Sequence, residues 1–280
     1  MGSAGRHMDI TVGVLALQGA FNEHVQLLRV AAKILEAKDI VNRTWVFREI
    51  RTEAELNSCD ALIIPGGEST AISLVAQRSG MMEPLRDFVK VQRKPTWGTC
   101  AGLILLAEAA NQTKKGGQEL IGGLDVRVNR NHFGRQIESF QADLELPFLQ
   151  QADGDELKPF RAIFIRAPIV EKLLKHVVGP QTDEEKVDAT VVAPSRPIDH
   201  QVAKKIHLKG VEIMGTLPGR AAAIKEDETK KLDAEAGDII AVRQTNVFGT
   251  SFHPELTGDP RIHVWWLEQV VEAVEERKNP

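Results

Sequence analysis

A three-layer α/β fold, with a mostly parallel central sheet and helices on both faces, is the architecture this sequence predicts. Three observations carry it. Short apolar runs rich in β-branched residues alternate with helical patterns through the first hundred residues, the signature of βαβ units. These runs end at glycine-bearing turns: Gln18-Gly19, Gly66-Gly67 and the stretch from Gly98 to Gly102. In a parallel sheet such turns gather at the carboxyl edge of the strands, where ligands sit.

The elements follow in order. Ile10 to Leu17 reads as a first strand, and Val25, Leu28, Ala32 and Leu35 then recur at helical spacing. Arg43 to Phe47 is a β-branched and aromatic strand. Cys59 to Ile64 is another, stopped by Pro65-Gly66-Gly67. Helices are expected from Ser69 to about Ala76 and from Pro84 to Val91. Lys94 to Gly102 is a strand and turn leading into Leu103 to Ala107, a strong helix former.

The second half changes character. Gly123 to Val128 and Ala162 to Arg166 read as strands. Residues 171–208 are polar and broken by Pro180, Pro194 and Pro197, and residues 220–237 are rich in Lys, Glu and Asp. Both read as solvated insertions within one domain, 9–278, their charge runs as exposed faces. Val211 to Gly215, Ile239 to Arg243 and Val247 to Phe252 are short strands of an antiparallel extension. A last helix starts at Asp259-Pro260, with Val264, Leu267, Val271 and Val274 on one face.

Composition bounds the partners. Lysine and arginine total 35 against 39 acidic residues among 280, a net charge of −4 that gives no support to non-specific nucleic-acid binding. With 42% hydrophobic and 26% charged residues, the chain can build a sizeable core. No apolar run approaches the ~18 residues that span a bilayer, and no signal-peptide pattern is present, so no membrane role is expected. Met1 to His7 reads as a cloning leader, residues 1–8 being set apart from the fold. Two cysteines, Cys59 and Cys100, fit a reducing, cytoplasmic setting better than a disulfide framework.

Three segments carry chemistry. Gly98-Thr99-Cys100-Ala101-Gly102 has the nucleophile-elbow form, with sulfur in place of a serine hydroxyl. Its glycines let a strand turn sharply into a helix. Cys100 is thereby raised at a helix amino terminus, whose dipole favours negative charge, and the amide of Ala101 can face an oxyanion. Read alone, Cys100 is also compatible with a small buried apolar residue. Cys59, which precedes a buried strand and has no nearby base, reads as structural. His253-Pro254-Glu255 supplies a base and an orienting carboxylate two residues apart, on the same side of an extended chain. A surface His and Glu with no shared task is the plain alternative; the other seven histidines lack comparable settings. Pro65-Gly66-Gly67-Glu68 places two glycines after a buried strand, suiting a second oxyanion donor at Gly67, and a carboxylate at Glu68 suited to a substrate ammonium. A Gly-Gly pair in that position is by itself equally a plain turn. No metal-ligand cluster is apparent.

Taken together, the cysteine elbow and His253-Pro254-Glu255 are similar to the class I glutamine amidotransferases of the Cys-His-Glu type, a flavodoxin-like fold. Leu15-Ala16-Leu17-Gln18-Gly19, Pro65 to Thr70, Asn131-His132-Phe133-Gly134-Arg135-Gln136, Phe164-Ile165-Arg166-Ala167-Pro168 and Ser251 to Thr257 narrow the likeness. They resemble the glutaminase subunits of pyridoxal 5′-phosphate synthases, over about residues 12–270. The resemblance implies Cys100 as nucleophile, His253 as base and Glu255 as its orienter. It also implies Gly67 and Ala101 as the oxyanion hole, and Gly66, Gly67, Glu68, Arg135, Ile165 and Arg166 as the pocket for L-glutamine. Arg135 is open to a structural ion pair instead, and Arg166 is expected to act through its backbone. Gln18 falls in a loop near the oxyanion hole and the partner surface. No cofactor or metal is implied; the implied partner is a synthase subunit that receives ammonia. Residues 171–208, 220–237 and a short stretch from Glu36 to Arg43 depart from compact members. A glutaminase serving another synthase and a non-catalytic regulatory subunit are the competing readings.

Overall fold

The structure is a computed structural model that describes residues 8–38, 43–111, 118–130, 139–150, 158–177, 179–195, 209–217 and 239–278. Its spine is a parallel sheet whose strands are β1 (Met8–Leu15), β2 (Arg43–Ile50), β3 (Ala61–Ile64) and β4 (Thr96–Thr99), joined by a late strand, β13 (Val247–Thr250). They lie in the order β2-β1-β3-β4-β13, every pair parallel. The chain steps from β1 outward to β2 and then back across β1 to β3. The direction of winding therefore switches between β1 and β3, and a crevice opens there at the carboxyl ends.

Two apolar layers cover the faces. On one lie α3 (Ser69–Arg78), α4 (Met82–Arg86), which continues through a wider turn to Val91, and α5 (Ala101–Leu106). On the other lie α1 (Phe21–Ala37) and the closing helix α7 (Arg261–Lys278). Val25, Leu28, Ala32 and Leu35 of α1 are buried, as their spacing predicts. The α7 stripe is rotated from expectation: Ile262, His263, Trp266 and Val270 are buried with Leu267 and Val274, whereas Val264 and Val271 are only half-buried. The larger apolar area of Trp266 sets that face.

Other elements escaped the pattern. The helix α2 (Glu53–Asn57) is short, yet its signal is present: Thr52 and Glu55 form a reciprocal capping box. Leu103 to Leu106 are helical, but the chain then passes directly into a strand, β5 (Ala107–Asn111), which pairs with β6 (Leu124–Asn129). A fully buried apolar run reads alike as strand or helix, and here it is both in succession. The strand expected at Ala162 to Arg166 is present as β8 (Phe160–Ile165); it forms a separate antiparallel pair with β7 (Ser139–Leu144), a strand the pattern does not predict, and packs Phe160 and Phe164 into the α1–α7 layer.

The stretch 171–208 is in part integral to the sheet. Glu171 to Leu173 end β9 (Ile169–Leu173), which pairs with β6. Thr190–Val192 form β10, the edge strand on β5, after a one-turn helix, α6 (Thr182–Glu185). Its charges are not all solvated: Glu184 is buried and accepts from Arg127 and Lys172, each at 2.7 Å. The remainder, 196–208, lies outside the described residues, as does 220–237. The antiparallel extension is β11 (Glu212–Thr216) on β12 (Ile239–Gln244). β13 pairs antiparallel with β12 but parallel with β4, so it closes the parallel core rather than extending it. Among the described residues no helix is long and apolar enough to cross a membrane.

Candidate active site

Four adjacent parallel strands deliver the site. Gln18 follows β1, Gly66 and Gly67 follow β3, Cys100 follows β4 and His253 follows β13, all at one edge of the sheet. Cys100 has a positive φ of 48°, a strained backbone for a residue with a side chain. Two glycines permit it. A Cβ at Gly98 would lie 2.5 Å from the carbonyl of Gly102, and one at Gly102 would collide with the Ile64 carbonyl. The amide of Cys100 is tied to the Thr250 carbonyl at 2.7 Å, which locks the elbow to β13. Ala101 begins α5, so its N–H has no partner within the helix.

Cys100 and His253 are buried, at 6% and 7% exposure. His253 Nδ1 lies 2.7 Å from Glu255 Oε1, so the ring donates its Nδ1 proton and turns Nε2 to the cysteine side. Burial alone would lower the His253 pKa. Hydrogen bonds and charge attraction from Cys100 and Glu255 outweigh it and raise the pKa to about 10. The ring packs directly on Gly66, where any Cβ would run into its Cε1. The amide of His253 donates to the Ile163 carbonyl at 2.8 Å, so β8 fixes the base from the other side.

The turn after β3 is braced from the loop after β1 and from β4. Gly66 O accepts from Ala20 N at 3.1 Å, Gly66 N donates to Thr99 Oγ1 at 2.9 Å, and Gln18 Oε1 accepts from Glu68 N at 2.9 Å. Gln18 is thus drawn to the 66–68 turn. The Glu68 carboxylate caps α3, accepting from the amides of Thr70 at 3.2 Å and Ala71 at 2.8 Å. An exposed carboxylate with that satisfaction is oriented rather than free. Ile165 O lies 4.0 Å from Cys100 Sγ, so β8 presents a backbone acceptor to the crevice. Arg166 has a positive φ of 44° and an exposed side chain. Arg135 lies outside the described residues.

Four polar groups join this constellation without having been singled out by motif. Thr99 holds Gly66. Arg130 donates to Ser69 Oγ and Thr70 Oγ1, both at 2.9 Å, beside Glu68. His24 and His263, from α1 and α7, are buried behind Glu255. The expectation that other histidines lack comparable settings is corrected for these two: α1 and α7 converge only in the folded state. The one local signal was His24, a polar residue at the edge of an apolar helical face. Among the described residues no group of three His, Cys, Asp or Glu side chains is placed to hold a metal ion.

A doubly covered parallel sheet with a cysteine elbow and a paired His–Glu at its carboxyl edge defines the class: an α/β protein built for cysteine-based amide chemistry. The SNO glutamine amidotransferase family model matches residues 14–207 and 196–272, and the chain belongs to that family. The chain is 41% identical over 263 residues to an Arabidopsis thaliana protein named probable pyridoxal 5′-phosphate synthase subunit PDX2, covering 94% of this chain and 87% of the relative. It is 38% identical to a Streptomyces griseus protein named pyridoxal 5′-phosphate synthase subunit PdxT, covering 92% and 95%. A solved structure described as a glutamine amidotransferase shares 31% identity with a TM-score of 0.58, covering 92% of this chain and 98% of that one.

Proposed function

We propose that the chain is the glutaminase subunit of a pyridoxal 5′-phosphate synthase. In this reading it hydrolyses L-glutamine to L-glutamate and ammonia and passes the ammonia to a synthase subunit. One observation carries the chemistry: Cys100, on a strained elbow, shares His253 with Glu255, whose carboxylate lies 2.7 Å from the ring. A histidine whose pKa is raised to about 10 between a thiol and a carboxylate holds its proton at neutral pH. An imidazolium held against Cys100 favours attack by the sulfur as thiolate and stands ready as the acid for the leaving ammonia.

The Cys100 thiolate attacks the side-chain amide carbon, and the amides of Ala101 and Gly67 receive the oxyanion. Imidazolium His253 gives its proton to the departing ammonia, leaving a thioester. Neutral His253 then takes a proton from water as it attacks the thioester, and glutamate leaves with the thiolate restored. Gly66, Glu68 and the backbone at Ile165 and Arg166 flank the glutamine, with Arg135 as a further contact. Gln18, in the loop after β1 that would meet the partner, is tied to the 66–68 turn through Glu68 N. The free cysteines Cys59 and Cys100 suit a reducing compartment, and we place the protein in the cytoplasm.

The test is glutamate release from glutamine, with and without a pyridoxal 5′-phosphate synthase subunit, for wild type and Cys100→Ala. Release that rises with the partner and disappears in the variant is expected. Because Ala20 pins the Gly66 carbonyl, the peptide that carries the Gly67 amide is held by the partner-side loop. Low activity alone follows if that loop must move. Absence of release in every mixture overturns the reading.

A further inference from the structure

Behind the triad lies a second tier that the motif does not contain. Glu255 is 5% exposed, and its outer oxygen, Oε2, is buried without a hydrogen bond of ordinary length. A buried carboxylate oxygen left so is costly. Facing it at 3.4 Å is Nε2 of His24, which is 0% exposed and also 3.2 Å from Thr99 Oγ1. On the far side, His24 Nδ1 lies 3.0 Å from His263 Nε2, and His263 Nδ1 is buried with no partner.

These distances favour one placement of the protons. Both rings are neutral, since burial lowers the His24 pKa well below its ordinary value and the His263 pKa to about 3. With the proton on Nε2 of each ring, His263 donates to His24, and His24 donates toward Glu255 and Thr99. The single unpaired site is then a lone pair on His263. With both protons on Nδ1, His263 would carry a buried N–H with no acceptor, and Glu255 Oε2 would face a lone pair. Orphaned buried N–H groups are the rarer case, so the first arrangement stands.

We propose that His24 is a positioning residue, whose Nε2–H holds the outer oxygen of Glu255 so that its inner oxygen stays aligned on His253. His263 sets the tautomer of His24, and the two helices α1 and α7 thereby clamp the triad from behind. The contact to Glu255 is long at rest; catalytic hydrogen bonds often tighten only when substrate is bound. The inference rests on the glutaminase reading, with one readout independent of it.

That readout is the ring 15N spectrum of the full chain, with His24 assigned by loss of its signals in His24→Gln. A neutral ring protonated at Nε2 is expected, and an Nδ1–H tautomer or an imidazolium overturns the proposal. The second readout is steady-state glutamine turnover with the synthase subunit. His24→Leu, which cannot donate, should lower kcat roughly tenfold with little change in KM. His24→Gln, whose amide can donate from about the same place, should restore kcat to within about threefold of wild type. Wild-type kcat in a folded His24→Leu overturns the proposal, as does an equal loss in both variants. If His24→Leu does not fold, the tautomer decides. Wild type with no turnover defeats the glutaminase reading instead, which the spectrum tells apart.

Discussion

Cys59 and Cys100 are both buried free thiols next to strands of the same parallel sheet, yet their surroundings are opposites. Cys59 precedes β3, at the amino edge, and is 1% exposed. Its thiol donates to the Glu55 carbonyl at 3.3 Å, and burial pushes its pKa up to about 11. Cys100 follows β4, at the carboxyl edge, with His253 against it and Glu255 behind. Burial is similar at the two thiols, but only Cys100 has an imidazole against it. What differs is the edge of the sheet: among the described residues, amino-edge segments bring Cys59 the Lys94 amine and the Asp60 carboxylate but no histidine, whereas the turn after β13 brings Cys100 an imidazole oriented by a carboxylate.

The sharpest way to break this comparison is substitution at each thiol. Cys100→Ala should cost at least about a thousandfold in glutamine turnover, whereas Cys59→Ala should leave it within about twofold. Comparable losses in both would mean that the elbow is not the reactive position. Next in size is alkylation. Iodoacetamide at pH 7.5, followed by peptide mass spectrometry, should modify Cys100 on the order of a hundred times faster than Cys59, and unfolding in urea should erase the difference. Glu255→Gln should slow the Cys100 reaction and leave Cys59 unaffected.

The smallest effect concerns stability. His253 has its pKa raised from 6.5 to about 10. Its contribution is therefore full below pH 6.5 and is lost as pH climbs toward 10. His263 runs the other way. Lowered from 6.5 to about 3, it costs stability as pH falls through that interval, because the unfolded ring takes a proton that the buried ring refuses. Urea midpoints should show His263→Gln flattening the acid limb and His253→Gln flattening the alkaline limb. An unchanged acid limb in His263→Gln would show that other groups govern acid unfolding.

How much was legible in advance depended on range. The elbow, the Gly66-Gly67 turn and His253-Pro254-Glu255 are local patterns, in which residue type and spacing dictate backbone shape over a few positions. The same holds for the α1 stripe and for β1, β3 and β4. The strand β5 was hidden because a buried run has no alternation, and β9 and the edge strand β10 because they run into or lie among polar residues with no side-chain stripe to betray them. The polar stretch around Glu184 was misjudged for a related reason: its partners, Arg127 and Lys172, come from β6 and β9.

The sequence by itself determined a βαβ frame, the reactive cysteine turn and the local pairing of His253 with Glu255. Folding decided the rest. It brought β13 from the far end of the chain alongside β4, so that His253 faces Cys100. It set β8 against that turn, with the Ile165 carbonyl at the thiol. It also joined His24 and His263, 239 positions apart, into one buried pair behind Glu255. Short-range backbone preferences are written in neighbouring residues, but desolvation and the company of a titratable group depend on what the whole core packs against it.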